Sequence, residues 1–160
     1  MEKYEFLLAN YNEILEIIDL YHSLVGAEGC SWNLDYPDKE TAENDVANGS
    51  LYVLKADDKI IAAVSAVDPD ELMHLPWKPH KPCELARLCV APYMQKRGIG
   101  EIILRNIIKI IKEKDYDGIV MLVGKTNFAA LALYDNNGFE KCGEVNMYDI
   151  DFYCYQIKFI

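Results

Sequence analysis

A glycine-containing turn between an apolar strand and an amphipathic helix constrains the fold of this chain most. The apolar run at residues 83–91 is followed by Pro92 and then by the sequence Gln95-Lys96-Arg97-Gly98-Ile99-Gly100. Isoleucines recur three or four positions apart from Ile99 onward, which predicts a helix. Such a turn leaves backbone N–H groups pointing outward at a helix N-terminus, where the helix dipole also favours negative charge. The segment therefore predicts a site for a phosphorylated ligand, to which Lys96 and Arg97 add positive charge.

The turn differs from the two common nucleotide-binding fingerprints. A dinucleotide loop would have its third glycine at position 103, which is Ile103, and a P-loop would have Gly-Lys-Ser/Thr at the helix start. The turn instead resembles the Gln/Arg-x-x-Gly-x-Gly/Ala signature of the GNAT superfamily of N-acetyltransferases. That resemblance implies that the turn binds the pyrophosphate of acetyl-coenzyme A (acetyl-CoA). The residues alone also allow a tight turn whose glycines only permit the chain to reverse.

A second segment resembles the same superfamily. Residues 127–139 match the GNAT block Asn-x-x-Ala-x-x-Leu-Tyr-x-x-x-Gly-Phe. The resemblance implies that Asn127 and Ala130 lie along the pantetheine arm of acetyl-CoA. It also implies that Tyr134, seven positions after Asn127 and so on the same helical face, points its hydroxyl toward the thioester sulfur. Taken by themselves, Asn127 can simply cap the helix and Tyr134 can be a half-buried core aromatic.

Hydrophobic periodicity predicts the element order β-α-α-β-β-β-α-β-α-β-β. Strands are predicted at residues 4–9, 51–55, 59–67, 83–91, 118–124, 139–145 and 148–160, and helices at 12–25, 38–48, from 99 onward and at 127–136. This order resembles that of a GNAT domain. The resemblance implies an α+β fold with a central mixed, mostly antiparallel twisted sheet of about seven strands and about four flanking helices. We expect residues 1–160 to form one domain.

The resemblance implies direct transfer of an acetyl group from the thioester to a primary amine. A primary amine is mostly protonated at neutral pH, so the reaction requires a base. Glu84 is the candidate, because it lies eleven positions before Gln95, the offset of the catalytic glutamate in the histone-acetylating branch of the superfamily. An ion pair with Arg87, an exposed strand end, or an ordered water acting as the base are the alternatives. Tyr134 would assist departure of the thiolate.

In GNAT enzymes the backbone of the strand before the turn binds the rest of the cofactor. Here that strand offers Leu88, Cys89 and Val90, with Val90 expected to bind the thioester carbonyl and Leu88 to pair with pantetheine. The full set of residues predicted to bind the cofactor is Leu88, Cys89, Val90, Gln95, Lys96, Arg97, Gly98, Ile99, Gly100, Asn127, Ala130 and Tyr134.

The loop at residues 26–37 is the candidate acceptor site. It carries Glu28, Trp32 and Tyr36, an acidic and aromatic combination suited to an ammonium group. Trp77 is a further candidate for this wall, and the alternative for Trp32 and Tyr36 is that they only anchor a long loop. A small amine is favoured over a protein amino group, and the sequence does not specify which amine. A non-catalytic acyl-CoA-binding regulatory or sensor domain, which would need neither Glu84 nor Tyr134, is the alternative function.

Composition limits the remaining classes. A net charge of −10 disfavours a nucleic-acid partner, and the apolar stretches are too short to cross a membrane. Residues 1–5 lack the character of a signal peptide, so we expect a cytoplasmic location. The five cysteines are odd in number and favour buried thiols over disulfides, and His74, His80 and Cys83 fit no zinc spacing, so no metal is predicted. The aromatic strand at 148–160 can either cover its own sheet or pair in a homodimer.

Overall fold

The computed structural model describes residues 3–160. Met1 and Glu2, part of the segment that was predicted not to be a signal peptide, lie outside the described residues. The strands are β1 (Tyr4–Leu8), β2 (Leu51–Ala56), β3 (Lys59–Val67), β4 (Pro82–Val90), β5 (Gly118–Gly124), β6 (Glu140–Met147) and β7 (Ile150–Lys158). The helices are α1 (Ile14–Ser23), α2 (Lys39–Ala47), α3 (Ile99–Glu113) and α4 (Phe128–Asp135).

The seven strands form one sheet in the order β1-β2-β3-β4-β5-β7-β6. Every neighbouring pair is antiparallel apart from β4 and β5, which are parallel. The predicted α+β fold with a mixed, mostly antiparallel sheet and four helices is therefore confirmed. The predicted pairing of the last two strands is also correct, and β7 additionally pairs with β5.

The core lies on both faces of the central strands. Six consecutive residues of β3 are buried, which requires cover on both faces of that strand, and α1 and α3 both pack against it. Helix α3 contributes the fully buried side chains of Ile99, Ile103, Leu104, Ile107 and Ile111. Burial of this isoleucine-rich stripe holds the helix, and with it the preceding turn, against the sheet.

The first helix begins differently from the prediction. Residues Tyr11–Glu13 form a short 3-10 helix before α1, so the predicted helix at 12–25 was too long at both ends. The cause is a capping box: the Asn10 side chain accepts from the Asn12 N–H at 3.0 Å, and the Glu13 carboxylate accepts from the Asn10 N–H at 3.0 Å. These bonds fix the entry of the chain at Asn10.

Strands β4 and β5 diverge after a short stretch of pairing. Their parallel ladder covers three positions and ends at Glu84 opposite Val120. Beyond this point β4 carries a bulge. Ala63 of β3 pairs with Cys89 and Ser65 pairs with Ala86, so an advance of two residues along β3 corresponds to three residues along β4. Arg87 lies within the bulge and has a φ of +54°. Since a bulge bends its strand, β4 turns away from β5 and an opening forms between the two strands.

Candidate active site

A cleft of about 1160 Å³ occupies the opening between β4 and β5. Its walls come from both strands, from α4, from the loop at residues 26–37 and from the turn between β6 and β7. The cleft brings together seven of the residues predicted for the site: Trp32, Tyr36, Glu84, Leu88, Asn127, Ala130 and Tyr134. Residues far apart in the chain thus share one concave surface.

Glu84 lies in the cleft where the pairing of β4 with β5 ends. The pKa of its carboxyl is raised from 4.5 to about 7, chiefly by burial; the Arg87 charge opposes this rise, and Glu71 and Asp45 add to it. Within residues 3–160, no side chain forms a hydrogen bond or an ion pair with this carboxylate, so the predicted alternative of an ion pair with Arg87 is wrong. A carboxyl with this pKa takes up and releases a proton near neutral pH.

Arg87 binds Asp45 instead. Its Nη2 donates to Asp45 Oδ2 at 2.7 Å, its Nη1 donates to the Tyr36 hydroxyl at 3.1 Å, and the Ser65 hydroxyl donates to the same Asp45 oxygen at 2.7 Å. Asp45 is buried and Arg87 is largely buried, with 8% and 14% of their side chains exposed respectively. The network joins β4, α2, β3 and the loop at 26–37. Sequence reasoning missed Asp45 and Ser65, since 42 positions separate Asp45 from Arg87 and the acid lies in a helix of polar residues.

The turn at residues 95–100 is exposed at the N-terminus of α3. Gly98 has a φ of +79°, and a Cβ atom at that position would meet nothing within 4 Å. The Gln95 side chain donates from Nε2 to the Val90 carbonyl at 3.1 Å and so ties the turn to the end of β4. The Ile102 N–H donates to the Gly98 carbonyl at 3.2 Å, so the amides of residues 99–101 lie ahead of the helical ladder. The turn therefore offers open space beside amides suited to an anion.

Other parts of the predicted turn serve the fold. Ile99 is 1% exposed, which means that it can contribute only its backbone to a ligand. Gly100 faces α4, because a Cβ atom there would lie 3.4 Å from Leu133 Cδ2. Lys96 has a φ of +62°, and both Lys96 and Arg97 are exposed. The two basic side chains are thus on the surface beside the open space at Gly98.

The edge of β4 that faces the opening carries Leu88 and Val90. The Ala91 N–H donates to the Ile61 carbonyl of β3 at 2.8 Å, and alternation along the strand then directs the backbone groups of Val90 to the opposite edge. Cys89 pairs with Ala63, is 5% exposed and is not among the residues that line the cleft. Burial raises the pKa of its thiol to about 12. The Cys89 side chain thus belongs to the core rather than to the cleft.

Helix α4 presents Ala130 and Tyr134 to the cleft, and its N-cap residue Asn127 also lines it. The Asn127 side chain accepts from the Ala130 N–H at 3.3 Å, so the predicted capping role is confirmed. Tyr134 is 6% exposed and packs edge-on against Phe139 with ring centroids 5.5 Å apart, so it is a core aromatic as well as a cleft residue. Burial raises the pKa of the Tyr134 hydroxyl above its usual range. This phenol keeps its proton at neutral pH and can donate it.

The loop at residues 26–37 contributes only part of the predicted acceptor site. Trp32 and Tyr36 line the cleft, whereas Glu28 is exposed and is not among the lining residues. Trp32 also packs edge-on against Tyr21 at 5.4 Å, as expected for a residue that anchors the loop. Gly29 packs closely on the connection before α4, because a Cβ atom there would lie 2.7 Å from the Thr126 carbonyl oxygen. That close contact fixes the direction of the loop.

A contact between two residues that line the cleft was not predicted. The Tyr148 hydroxyl, in the turn between β6 and β7, donates to the Glu71 carboxylate, and both residues line the cleft. Trp77, the further candidate for the acceptor wall, lies elsewhere: its Nε1 donates to the Leu72 carbonyl at 2.8 Å, and it lines a separate small cavity with Cys142. The Glu71–Tyr148 pair therefore adds a second group of lining residues to Trp32 and Tyr36.

Metal-binding clusters and membrane-spanning helices are absent from the part of the chain that the structure describes. No three His, Cys, Asp or Glu side chains in residues 3–160 are grouped in a way that could hold a metal ion. None of the helices described has the length and apolar character needed to cross a bilayer. The five cysteines are all free thiols.

Comparisons with known proteins agree with this architecture. The family model for the acetyltransferase (GNAT) family matches residues 13–139. N-acetyltransferase family 8 member 2 of Rattus norvegicus is 27% identical over 97 residues, which cover 61% of this chain and 41% of that protein. The chain thus spans about two fifths of the length of this relative.

Two solved structures have the same fold. The ribosomal-protein-alanine N-acetyltransferase of Brucella melitensis superposes with a TM-score of 0.77 at 20% identity and covers 96% of this chain and 99% of its own. A Salmonella typhimurium protein solved with its cofactor acetyl-CoA superposes with a TM-score of 0.79 at 16% identity. The match covers 99% of this chain and 95% of that protein.

Proposed function

Because this chain belongs to the acetyltransferase (GNAT) family, we propose that it transfers an acetyl group from acetyl-CoA directly to the primary amine of a small molecule. One observation carries the proposal: Glu84, a carboxyl whose pKa is about 7, lies where two strands separate to form a large cleft. A cleft that only bound acyl-CoA would have no need of a buried acid at this point.

The turn and the open strand edge suit the two ends of acetyl-CoA. The pyrophosphate would lie at Gly98, where the amides that begin α3 and the charges of Lys96 and Arg97 favour an anion. The pantetheine arm would run along β4 at Leu88, with Asn127 and Ala130 on its other side. The amide groups of this arm can form hydrogen bonds with the open edge of β4, as a further strand between β4 and β5 would.

The residues of the cleft supply the proton transfers. Glu84 accepts a proton from the amine, and the nitrogen lone pair then attacks the acetyl carbonyl carbon. The Val90 N–H stabilises the negative charge that develops on the carbonyl oxygen. The carbon–sulfur bond breaks, the buried Tyr134 hydroxyl donates its proton to the departing sulfur, and the nitrogen of the intermediate gives its second proton to the resulting Tyr134 oxygen. The products are an amide and free coenzyme A.

The acceptor side of the cleft favours a small amine over a protein chain. Trp32 and Tyr36 line this side, and a hydrogen bond between Tyr148 and Glu71 joins two further segments that line the cleft. A small ammonium compound can be bound by these groups while that hydrogen bond stays intact. The acidic and aromatic groups on this side also suit a cation.

Calorimetric titration with acetyl-CoA tests the binding site. Gly98→Glu places a negative charge in the open space of the turn and is expected to abolish binding. Gly26→Glu is the matched control, because Gly26 also has a positive φ and open space around its Cβ position but lies outside the turn at residues 95–100 and is not among the residues that line the cleft. The control should bind acetyl-CoA as the wild type does.

A panel of amines assayed by release of free thiol then tests turnover. Acetylation of a small amine supports the proposal, and acetylation only of peptides would transfer it to protein amino groups. Binding without turnover of any amine would favour the non-catalytic acyl-CoA-binding domain. A wild-type protein that fails to bind acetyl-CoA would refute the proposal.

A further inference from the structure

Asp45 and Arg87 form a buried ion pair beside Glu84 that takes no direct part in the proposed chemistry. We propose that Asp45 is a positioning residue for the reaction: by binding the Arg87 guanidinium it keeps that cation from pairing with Glu84 and leaves the Glu84 carboxylate able to accept a proton. This inference rests on the proposed function, in which Glu84 is the base.

The geometry of β4 places Arg87 near Glu84. The two residues lie three positions apart, on either side of the point where β4 leaves β5, and both line the cleft. The positive φ of Arg87 belongs to the bulge and fixes where its side chain starts. An arginine here has Glu84 on its own strand as a carboxylate partner, and the position of Asp45 decides which acid it binds.

Two hydrogen bonds fix the position of the Asp45 carboxylate. It extends from α2 into the protein, where the Ser65 hydroxyl and Arg87 Nη2 both donate to its Oδ2 at 2.7 Å. The Arg87 Nε is buried and has no hydrogen-bond partner among residues 3–160, so the guanidinium retains an unused donor. A buried guanidinium strongly favours a carboxylate that can satisfy such donors. Without the charge of Asp45, Glu84 is the carboxylate of the cleft that the Arg87 guanidinium would bind.

Five charged or titratable groups within residues 3–160 lie around Glu84. They are Arg87 and, next to Glu84, the Cys83 thiol on β4, Asp45 on α2, Glu71 in the segment after β3, and Tyr148 in the turn between β6 and β7. Asp45 offsets the positive charge of Arg87, so burial dominates the protonation of Glu84. Loss of the Asp45 charge leaves the Arg87 cation unopposed and favours the ionised form of Glu84. Loss of the Arg87 charge has the opposite effect.

Three variants test this arrangement: Asp45→Asn, Arg87→Gln, and the double variant that carries both changes. The titration of Glu84 is followed by ¹³C NMR of glutamate side-chain carboxyls, with the Glu84 signal assigned by its loss in Glu84→Gln. The wild-type midpoint is expected at about pH 7. It should fall by roughly one pH unit in Asp45→Asn, rise in Arg87→Gln, and return close to the wild-type value in the double variant.

The pH profile of kcat/KM provides the second measurement. The acid limb should move to lower pH in Asp45→Asn and to higher pH in Arg87→Gln, in step with the NMR midpoints. Residues that only support the fold would lower activity without moving the two midpoints in opposite directions. Midpoints that stay at the wild-type value, or move in the same direction, would overturn the inference.

The two measurements separate this inference from the proposed function. Shifted midpoints without turnover of any amine would refute the proposed function and retain the effect of Asp45 on Glu84. Turnover of an amine with unmoved midpoints would support the proposed function and refute the effect of Asp45 on Glu84. If one single variant fails to fold, the other decides: a midpoint that stays at the wild-type value, or moves against the expected direction, overturns the inference.

Discussion

Replacing Glu84 with glutamine is expected to stabilise the folded protein at pH 8. Burial raises the pKa of the Glu84 carboxyl from 4.5 to about 7, so the folded protein binds this proton more tightly than the unfolded chain does. The free energy of unfolding therefore falls as the pH rises from 4.5 to 7, and the full cost of the ionised carboxylate is present above pH 7. Glutamine has nearly the same shape and never ionises, so it avoids this cost.

The size of the effect follows from the two pKa values. A difference of about 2.5 pH units at about 1.4 kcal/mol per unit corresponds to roughly 3 kcal/mol at pH 8, and to less than about 1 kcal/mol at pH 5. For a chain of 160 residues each kcal/mol changes Tm by about 2–4 °C. Glu84→Gln should therefore raise Tm by roughly 6–12 °C at pH 8 and by only a few degrees at pH 5.

Scanning calorimetry of the wild type and the variant at both pH values measures this difference. Glu140→Gln is the control, because Glu140 is exposed and the Lys78 ammonium, at 2.9 Å, lowers the pKa of its carboxyl. Its replacement removes a favourable interaction and should not raise Tm at pH 8. A gain for Glu84→Gln that is the same at pH 5 and pH 8, or no gain at either, would show that burial does not perturb Glu84 as the structure indicates.

Further expectations concern catalysis and the core. Glu84→Gln should lower kcat/KM by about 10²–10⁴-fold and remove the acid limb near pH 7 from the rate profile, whereas an unchanged profile would exclude Glu84 as the base. Tyr134→Phe should lower kcat while the Kd for acetyl-CoA, measured by calorimetry, stays unchanged; weaker binding with normal kcat would contradict its role as a proton donor. Ile107→Ala, at a fully buried position, should cost about 2–5 kcal/mol in urea unfolding, and Leu15→Ala, at an exposed position, should cost far less. Asn127→Ala should cost about 1 kcal/mol through loss of the cap on α4, and Asn127→Ser should restore most of it.

Local patterns were sufficient to predict the elements of this fold. The isoleucine spacing of α3 and the continuous apolar run of β5 each report burial directly, so their positions follow from periodicity. The glycine turn and the spacing from Asn127 to Tyr134 likewise predicted residues that share a helix terminus or a helix face. These features depend on residues within one element, so the local sequence is enough to predict them.

Features that depend on distant partners were not predictable. The bulge at Arg87 arises from the register of β4 against β3, and an arginine gives no local sign of a positive φ. The partner of Arg87 is 42 positions away, and Tyr148 and Glu71 are separated by 77. Glu28 was assigned to the site by its charge alone, but packing of Gly29 against Thr126 directs the loop so that Glu28 faces outward.

The short parallel ladder between β4 and β5 divides the sheet into two antiparallel blocks. Strands β1–β4 come from residues before 91 and strands β5–β7 from residues after 117, so within residues 3–160 the chain passes between the blocks once, after α3. Severing the chain at that crossing would yield two fragments whose sheets meet along three residue pairs. A molecule lying along the opening would add contacts to both fragments, which makes this crossing a natural place to build a split reporter whose reassembly depends on ligand.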